Sequence, residues 1–97
     1  MMNKQEHYLT CLAEECNEVA QRVSKALRFG LAEVQDGQGL NNAERISVEL
    51  NDLLAVAEIL HEMGVIPAYQ PTVADRQAKF MRIEKFMPIG RKHGALQ

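Results

Sequence analysis

Apolar residues recur at three- and four-residue intervals along three stretches of the chain, and each stretch runs out at glycine or proline. In the first, from about Asn3 to Phe29, the residues Leu9, Leu12, Cys16, Val19, Ala20, Val23 and Leu27 share one face. They span roughly 100° at the helical period, and Gly30 supplies the stop. Asn41-Asn42-Ala43-Glu44 has the form of a capping box and opens the second stretch. Its stripe is Ile46, Leu50, Leu53, Leu54, Ala57 and Leu60, ending before Gly64 and Pro67. Thr72-Val73-Ala74-Asp75 is a third N-terminal cap, and the helix it starts is predicted to run to about Met87, short of Pro88. The pattern predicts an all-α fold: an antiparallel helical bundle of two long helices and a shorter third, with the long pair packed through their apolar stripes.

Between the first two helices, residues 30–42 lose the periodicity, and Asp36-Gly37-Gln38-Gly39 is turn chemistry. The segment is long for a plain helix–helix connection, and a loop of that length is expected to supply substrate contacts. Gly64 to Pro71 forms the second loop. Residues 1–90 read as a single domain and 91–97 as a flexible tail. With 97 residues in all, three helices bury a thin core, so a four-helix core completed by oligomerisation, as a homodimer or homotetramer, is expected.

Charge divides the chain in two. Residues 1–75 carry five Lys/Arg against twelve Asp/Glu, a net −7, whereas residues 76–97 carry six against one, a net +5. An acidic body with a basic end suits a cation site and an anion site in one molecule, or charge complementarity between subunits. Cys11 and Cys16 stand about 140° apart on a helix, wrong for a local bridge or a shared zinc, and read as small buried residues in a reducing compartment. With no signal-like segment and no apolar run of membrane-spanning length, no membrane partner and a cytoplasmic location are expected.

Chemistry concentrates in two acidic pairs. Glu15 and Glu18 lie one turn apart on the first helix, at roughly −60° and −120° from Leu12. Glu49 and Asp52 stand at the same offsets from Ile46 on the second. Antiparallel packing through the stripes would set both pairs along one groove, where carboxylate oxygens suit a hard divalent cation such as Mg²⁺. A lone acidic pair on a helix is most often solvated; the repeat at the same rotation gives this one its weight. Lys79 and Arg82 are candidate phosphate contacts within a basic series Arg76, Lys79, Arg82 and Lys85, and Lys25 or Arg28 would reach in from the end of the first helix. Phe29 and Tyr69 are candidates for stacking on a base. His7, His61 and His93 have no partners at metal spacing.

Glu14-Glu15-x-x-Glu18 followed by Glu49-x-x-Asp52 resembles the acidic signature of the all-α nucleoside triphosphate pyrophosphatases, and most of all the MazG-like proteins in their short, phage-encoded forms. The likeness covers residues 8–60, and the third helix more loosely. It implies a homo-oligomeric enzyme that hydrolyses (d)NTPs to the monophosphate and pyrophosphate with Mg²⁺, or Mn²⁺ in its place, in the cytoplasm (the host's, if phage-encoded). Carried over, it makes Glu15, Glu18, Glu49 and Asp52 metal ligands and gives Glu14 a part in orienting ligands or water. Thirty residues separate Glu18 from Glu49, at the long end of the pattern, so base recognition would follow this chain's own loop. A dUTP/dCTP-type or phosphoribosyl-ATP-type hydrolase is the neighbouring reading. The reading from another class is a non-catalytic helical dimer that binds nucleic acid or protein through residues 76–93. A third reading is a degenerate member that binds nucleotides without hydrolysing them, and the presence of all four proposed ligands argues against it; nucleic acid is not the expected partner.

Overall fold

The computed structural model describes residues 1–97. The fold is all-α: α1 spans Lys4–Phe29, α2 Asn42–Glu62 and α3 Val73–Lys92. The caps fall where the sequence sets them. Asn3 accepts from the Glu6 amide, and Asn41–Glu44 and Thr72–Asp75 form reciprocal capping boxes. Gly64 lets α2 end in a Schellman motif, with the Val65 amide donating to the Leu60 carbonyl at 3.0 Å.

The third helix departs from expectation. It continues through Pro88 to Lys92 and, at 20 residues, nearly matches the 21 of α2. Proline's fixed φ is itself helical, so its presence removes one amide donor without dictating a stop. The helix ends instead at Gly94, where a second Schellman motif turns the tail back: the Ala95 amide reaches the Gly90 carbonyl at 2.9 Å.

The connection between α1 and α2 is built rather than slack. Asn42 is 1% exposed, and its Nδ2 donates to the Gly30 carbonyl (2.8 Å) and to Glu33 Oε2 (2.7 Å). Its amide donates to the Glu33 carbonyl, and the Ala43 amide to that of Leu31. These bonds fix the start of α2 against the end of α1. Shielded positions recur from Tyr8 to Ala26 on α1 and from Asn42 to Leu60 on α2, and the two helices pack along those lines as an antiparallel hairpin. Asn42→Ala would leave the Gly30 carbonyl only its longer bond from the Glu33 amide (3.3 Å), take the donor from Glu33 Oε2 and release the loop. A loss of about 2 kcal/mol is expected, which a thermal melt would register as a drop of about 10 °C.

The faces that meet overlap the apolar stripes without coinciding with them. Shielded positions on α1 include Leu12, Glu15, Val19, Arg22 and Ala26; on α2 they include Asn42, Ile46, Glu49, Leu53, Ala57 and Leu60. Their centre is rotated from that of the stripe by roughly 75° on α1 and 35° on α2, toward the acidic shoulders. Small residues permit it: Ala26 and Ala57 are among the four buried residues of the chain. For antiparallel helices, rotations in the same sense leave the outer edges of both stripes on one side of the hairpin. There Val23, Leu27, Leu50 and Leu54 remain exposed.

Meanwhile α3 packs against neither α1 nor α2. Phe80, Ile83 and Phe86 are each more than half exposed. The radius of gyration is 16.9 Å, where a compact chain of this length would have about 12–13 Å.

Candidate metal centre

Rotation of the seam brings the acidic residues together. Carboxylate oxygens of Glu15, Glu18 and Glu49 lie within 4.8 Å of one another, with Glu15 and Glu49 half-buried and Glu18 exposed. Glu15 Oε2 and Glu49 Oε2 are each sealed from solvent with no hydrogen-bond partner. Oxygen atoms buried without a donor cost free energy, and an all-oxygen donor set of this kind fits a hard divalent cation.

The electrostatics carry the same mark. Glu49 has its pKa raised above the ordinary 4.5, first by desolvation, then by the close approach of the Glu18 carboxyl and by the charges of Glu18 and Asp52. Arg22 opposes this and lowers it. Asp52 is exposed and acts on Glu49 through its charge, standing outside the close triad. Glu14 is exposed one step beyond Glu18 round the helix and is not part of the triad.

Arg22 is the residue that the sequence reading passed over. It is half-buried, and its Nη1 is sealed without a hydrogen-bond partner. The signal was available: at 100° per residue Arg22 falls between Glu15 and Glu18 in rotation, one turn beyond Glu18. Extending the same strip places Lys25 and Phe29 next, all five within an arc of roughly 80°. Lys25 and Phe29, with Glu33 and Gln35 from the loop, line a hollow of about 170 Å³. One face of α1 thus presents carboxylates, a guanidinium, an ammonium and an aromatic ring in succession. Arg28 lies off that strip, its guanidinium over the Phe29 ring at 4.8 Å.

The other candidates are placed elsewhere. Lys79 and Arg82 ride on α3, which stands off the hairpin that holds the triad. Their basic series is also no single stripe, since each i+3 step turns it by roughly 60°. Tyr69 bends back along α2, its hydroxyl 3.5 Å from the Leu54 carbonyl and its ring edge-on to His61. With Asn51, Leu54, Glu58 and Pro71 it lines the larger groove, about 390 Å³, on the far side of α2 from Glu49. The Cys11 thiol lies 3.8 Å from His7 Nε2, with no third metal ligand beside them.

No helix is long and apolar enough to cross a membrane. The fold and site define an all-α protein whose helical hairpin holds a carboxylate triad in its seam. In comparisons with protein-family models, curated proteins and solved structures, the chain matches none. The likeness to the MazG-like pyrophosphatases therefore rests on the acidic motifs themselves.

Proposed function

We propose that the chain is a Mg²⁺-dependent pyrophosphohydrolase of (d)NTPs, releasing the monophosphate and pyrophosphate. The observation that carries this reading is the triad of Glu15, Glu18 and Glu49 with its two sealed, unpartnered oxygens. Those three residues would hold the ion, with Asp52 adding negative charge beside Glu49. When bound, Mg²⁺ (or Mn²⁺) supplies charge neutralisation and polarises phosphate oxygens.

The chain's own residues supply the rest. A triphosphate is repelled by clustered carboxylates, so Arg22 and Lys25, next along α1, are the donors placed to draw its oxygens in. Lys25 lies seven residues beyond Glu18, about 10 Å along the helix, a separation suited to a polyphosphate chain. The Phe29 ring and the loop residues Glu33 and Gln35 at the hollow are then positioned for the base. This assigns stacking to Phe29 in preference to Tyr69, whose groove lies across α2. In-line attack by water would expel pyrophosphate, with Arg22 and Lys25 offsetting the spreading charge. A cytoplasmic nucleotide pool and a reducing compartment suit the two free thiols, Cys11 and Cys16.

The test is a panel of the eight standard NTPs and dNTPs with Mg²⁺, resolving every phosphorus-containing product. Monophosphate with pyrophosphate is expected, and the ranking names the base. Diphosphate with phosphate would reassign the cleaved bond. An absence of turnover with both Mg²⁺ and Mn²⁺ would overturn the enzyme reading and direct attention to nucleic-acid binding by α3.

A further inference from the structure

We propose that the hollow at Phe29, Glu33 and Gln35 selects bases with an exocyclic amino group, cytosine and adenine, over bases with a carbonyl oxygen in its place. Glu33 reads that group and Gln35 the ring nitrogen beside it; this rests on the nucleotide reading above and names its base.

Asn42 fixes the first reader. Its side-chain nitrogen meets two acceptors, the Gly30 carbonyl at 2.8 Å and Glu33 Oε2 at 2.7 Å, so both amide hydrogens are spent. Because Asn42 is itself buried, the Glu33 carboxylate is held in one orientation, with Oε1 left to accept. An ionised carboxylate only accepts, so whatever meets it must donate.

Arg45 fixes the second. Its Nη1 lies 3.1 Å from Gln35 Oε1. A guanidinium only donates, so that contact settles which end of the amide is oxygen and leaves Gln35 Nε2, a donor, as the free end. Glu33 is half-buried and Gln35 exposed, which sets the acceptor inside and the donor at the rim. A ligand must therefore present a donor at its leading edge and an acceptor behind it.

Bases offer these groups in one of two orders. In cytosine and adenine the exocyclic group is an amino donor, and the adjoining ring nitrogen accepts. In uracil, thymine and guanine it is a carbonyl acceptor, and the adjoining nitrogen carries hydrogen. That group lies on the edge away from the sugar and enters first. A carbonyl there would face the Glu33 carboxylate with no hydrogen between them, and Gln35 would face an N–H. At about 170 Å³ the hollow suits a base; pockets that engulf a whole drug-sized ligand run to about 300–1,000 Å³. Arg28 covers one face of the Phe29 ring and does not line the hollow, so the base takes the other face. Lys25, one turn nearer the triad, is left for the phosphates.

The experiment compares turnover of dCTP with dUTP and of dATP with dITP, pairs that differ only at the edge being read. A preference in kcat/KM of about 10- to 100-fold for the amino member of each pair is expected. Equal rates, or a preference for the carbonyl members, would overturn the proposal and leave the enzyme reading standing. Glu33→Gln tests the reader itself. Asn42 would hold the new side chain by its oxygen and leave its nitrogen at the inner position, a donor in place of an acceptor. The preference should then reverse, and more fully in the Glu33→Gln, Gln35→Glu double variant. Variants that slow all four nucleotides alike would make Glu33 a brace of the loop and overturn its reading role. Should no triphosphate turn over, the enzyme reading fails, and dCMP, dUMP, dAMP and dIMP are titrated into the ¹⁵N-labelled chain. Shifts of the Gln35 side-chain amide with dCMP and dAMP alone would uphold base selection without catalysis. Shifts with all four, or with none, would overturn it.

Discussion

Glu49→Gln is expected to lower nucleotide turnover by about 10³-fold or more and, at the same time, to make the cation-free protein more stable. The two effects have one cause. Glu49 Oε2 is sealed in the seam without a donor, beside Glu18 and within the field of Asp52. An amide keeps the shape, removes one charge from the repelling set and can donate where the carboxylate cannot. A gain on the order of 0.5 kcal/mol follows from relieving like charges, a rise of about 2–4 °C in Tm. With Mg²⁺ present, the wild type should gain stability through ligand linkage and the variant should gain little. Thermal melts with and without Mg²⁺, run beside the turnover assay, measure all of this. A variant destabilised without the cation, or stabilised by it as well as the wild type, would show that the triad is an ordinary part of the packing.

The pH dependence has a definite sign. Because the folded-state pKa of Glu49 is raised, its proton is held more tightly in the folded than in the unfolded chain. Its contribution to stability is full below the unfolded value, near 4.5, and is lost as pH rises through the higher folded value. Cation-free wild type should therefore gain stability on acidification from neutral toward that value, and Glu49→Gln should not. Asp75 works in the opposite sense, its pKa lowered by the backbone and side-chain bonds of the Thr72 cap. Its contribution is present above about 3.8 and disappears at still lower pH, so the two windows stay apart.

How much of this was legible in the sequence depends on the scale of the interaction. The caps Asn41–Glu44 and Thr72–Asp75 were readable residue by residue, because they act within one turn of backbone. The acidic pairs were readable as faces, because helical rotation is local. What the sequence did not disclose was which face of α1 meets which face of α2. Hydrophobic periodicity nominates the stripes, and Leu12, Val19, Ile46, Leu53, Ala57 and Leu60 do line the seam, but the loop bonds of Asn42 and the small Ala26 go with a seam turned toward the acidic shoulders. The outer edges of the stripes, Val23, Leu27, Leu50 and Leu54, are left exposed. The same separation of scales explains α3. Its caps and its length are local matters, whereas its lack of contact with the hairpin follows from a connector held by Tyr69 and His61 through the fold. Placement of Lys79 and Arg82 near the triad was a tertiary expectation that a single chain does not meet. Arg22 on α1 is the positive charge that the structure sets beside Glu49.

Replacing that residue tests the role. Arg22→Met keeps the stem that packs in the seam and removes the charge that holds down the pKa of Glu49. Without a cation, the carboxylates then face each other with nothing positive among them, and a loss of about 1 kcal/mol is expected, some 4–8 °C in Tm. Saturating Mg²⁺ should restore much of that loss, since a divalent ion neutralises the same carboxylates more strongly than one guanidinium. Turnover should not recover with it. If Arg22 offsets charge on the phosphate chain, a deficit of about 10²-fold persists at saturating Mg²⁺, because the ion cannot replace a donor one turn further along α1. Stability restored together with full turnover would make Arg22 a counter-ion of the empty triad and no more, and the donor role would pass to Lys25. Stability that Mg²⁺ fails to restore would count against the ion itself, since it would mean that the carboxylates beside Arg22 do not bind it.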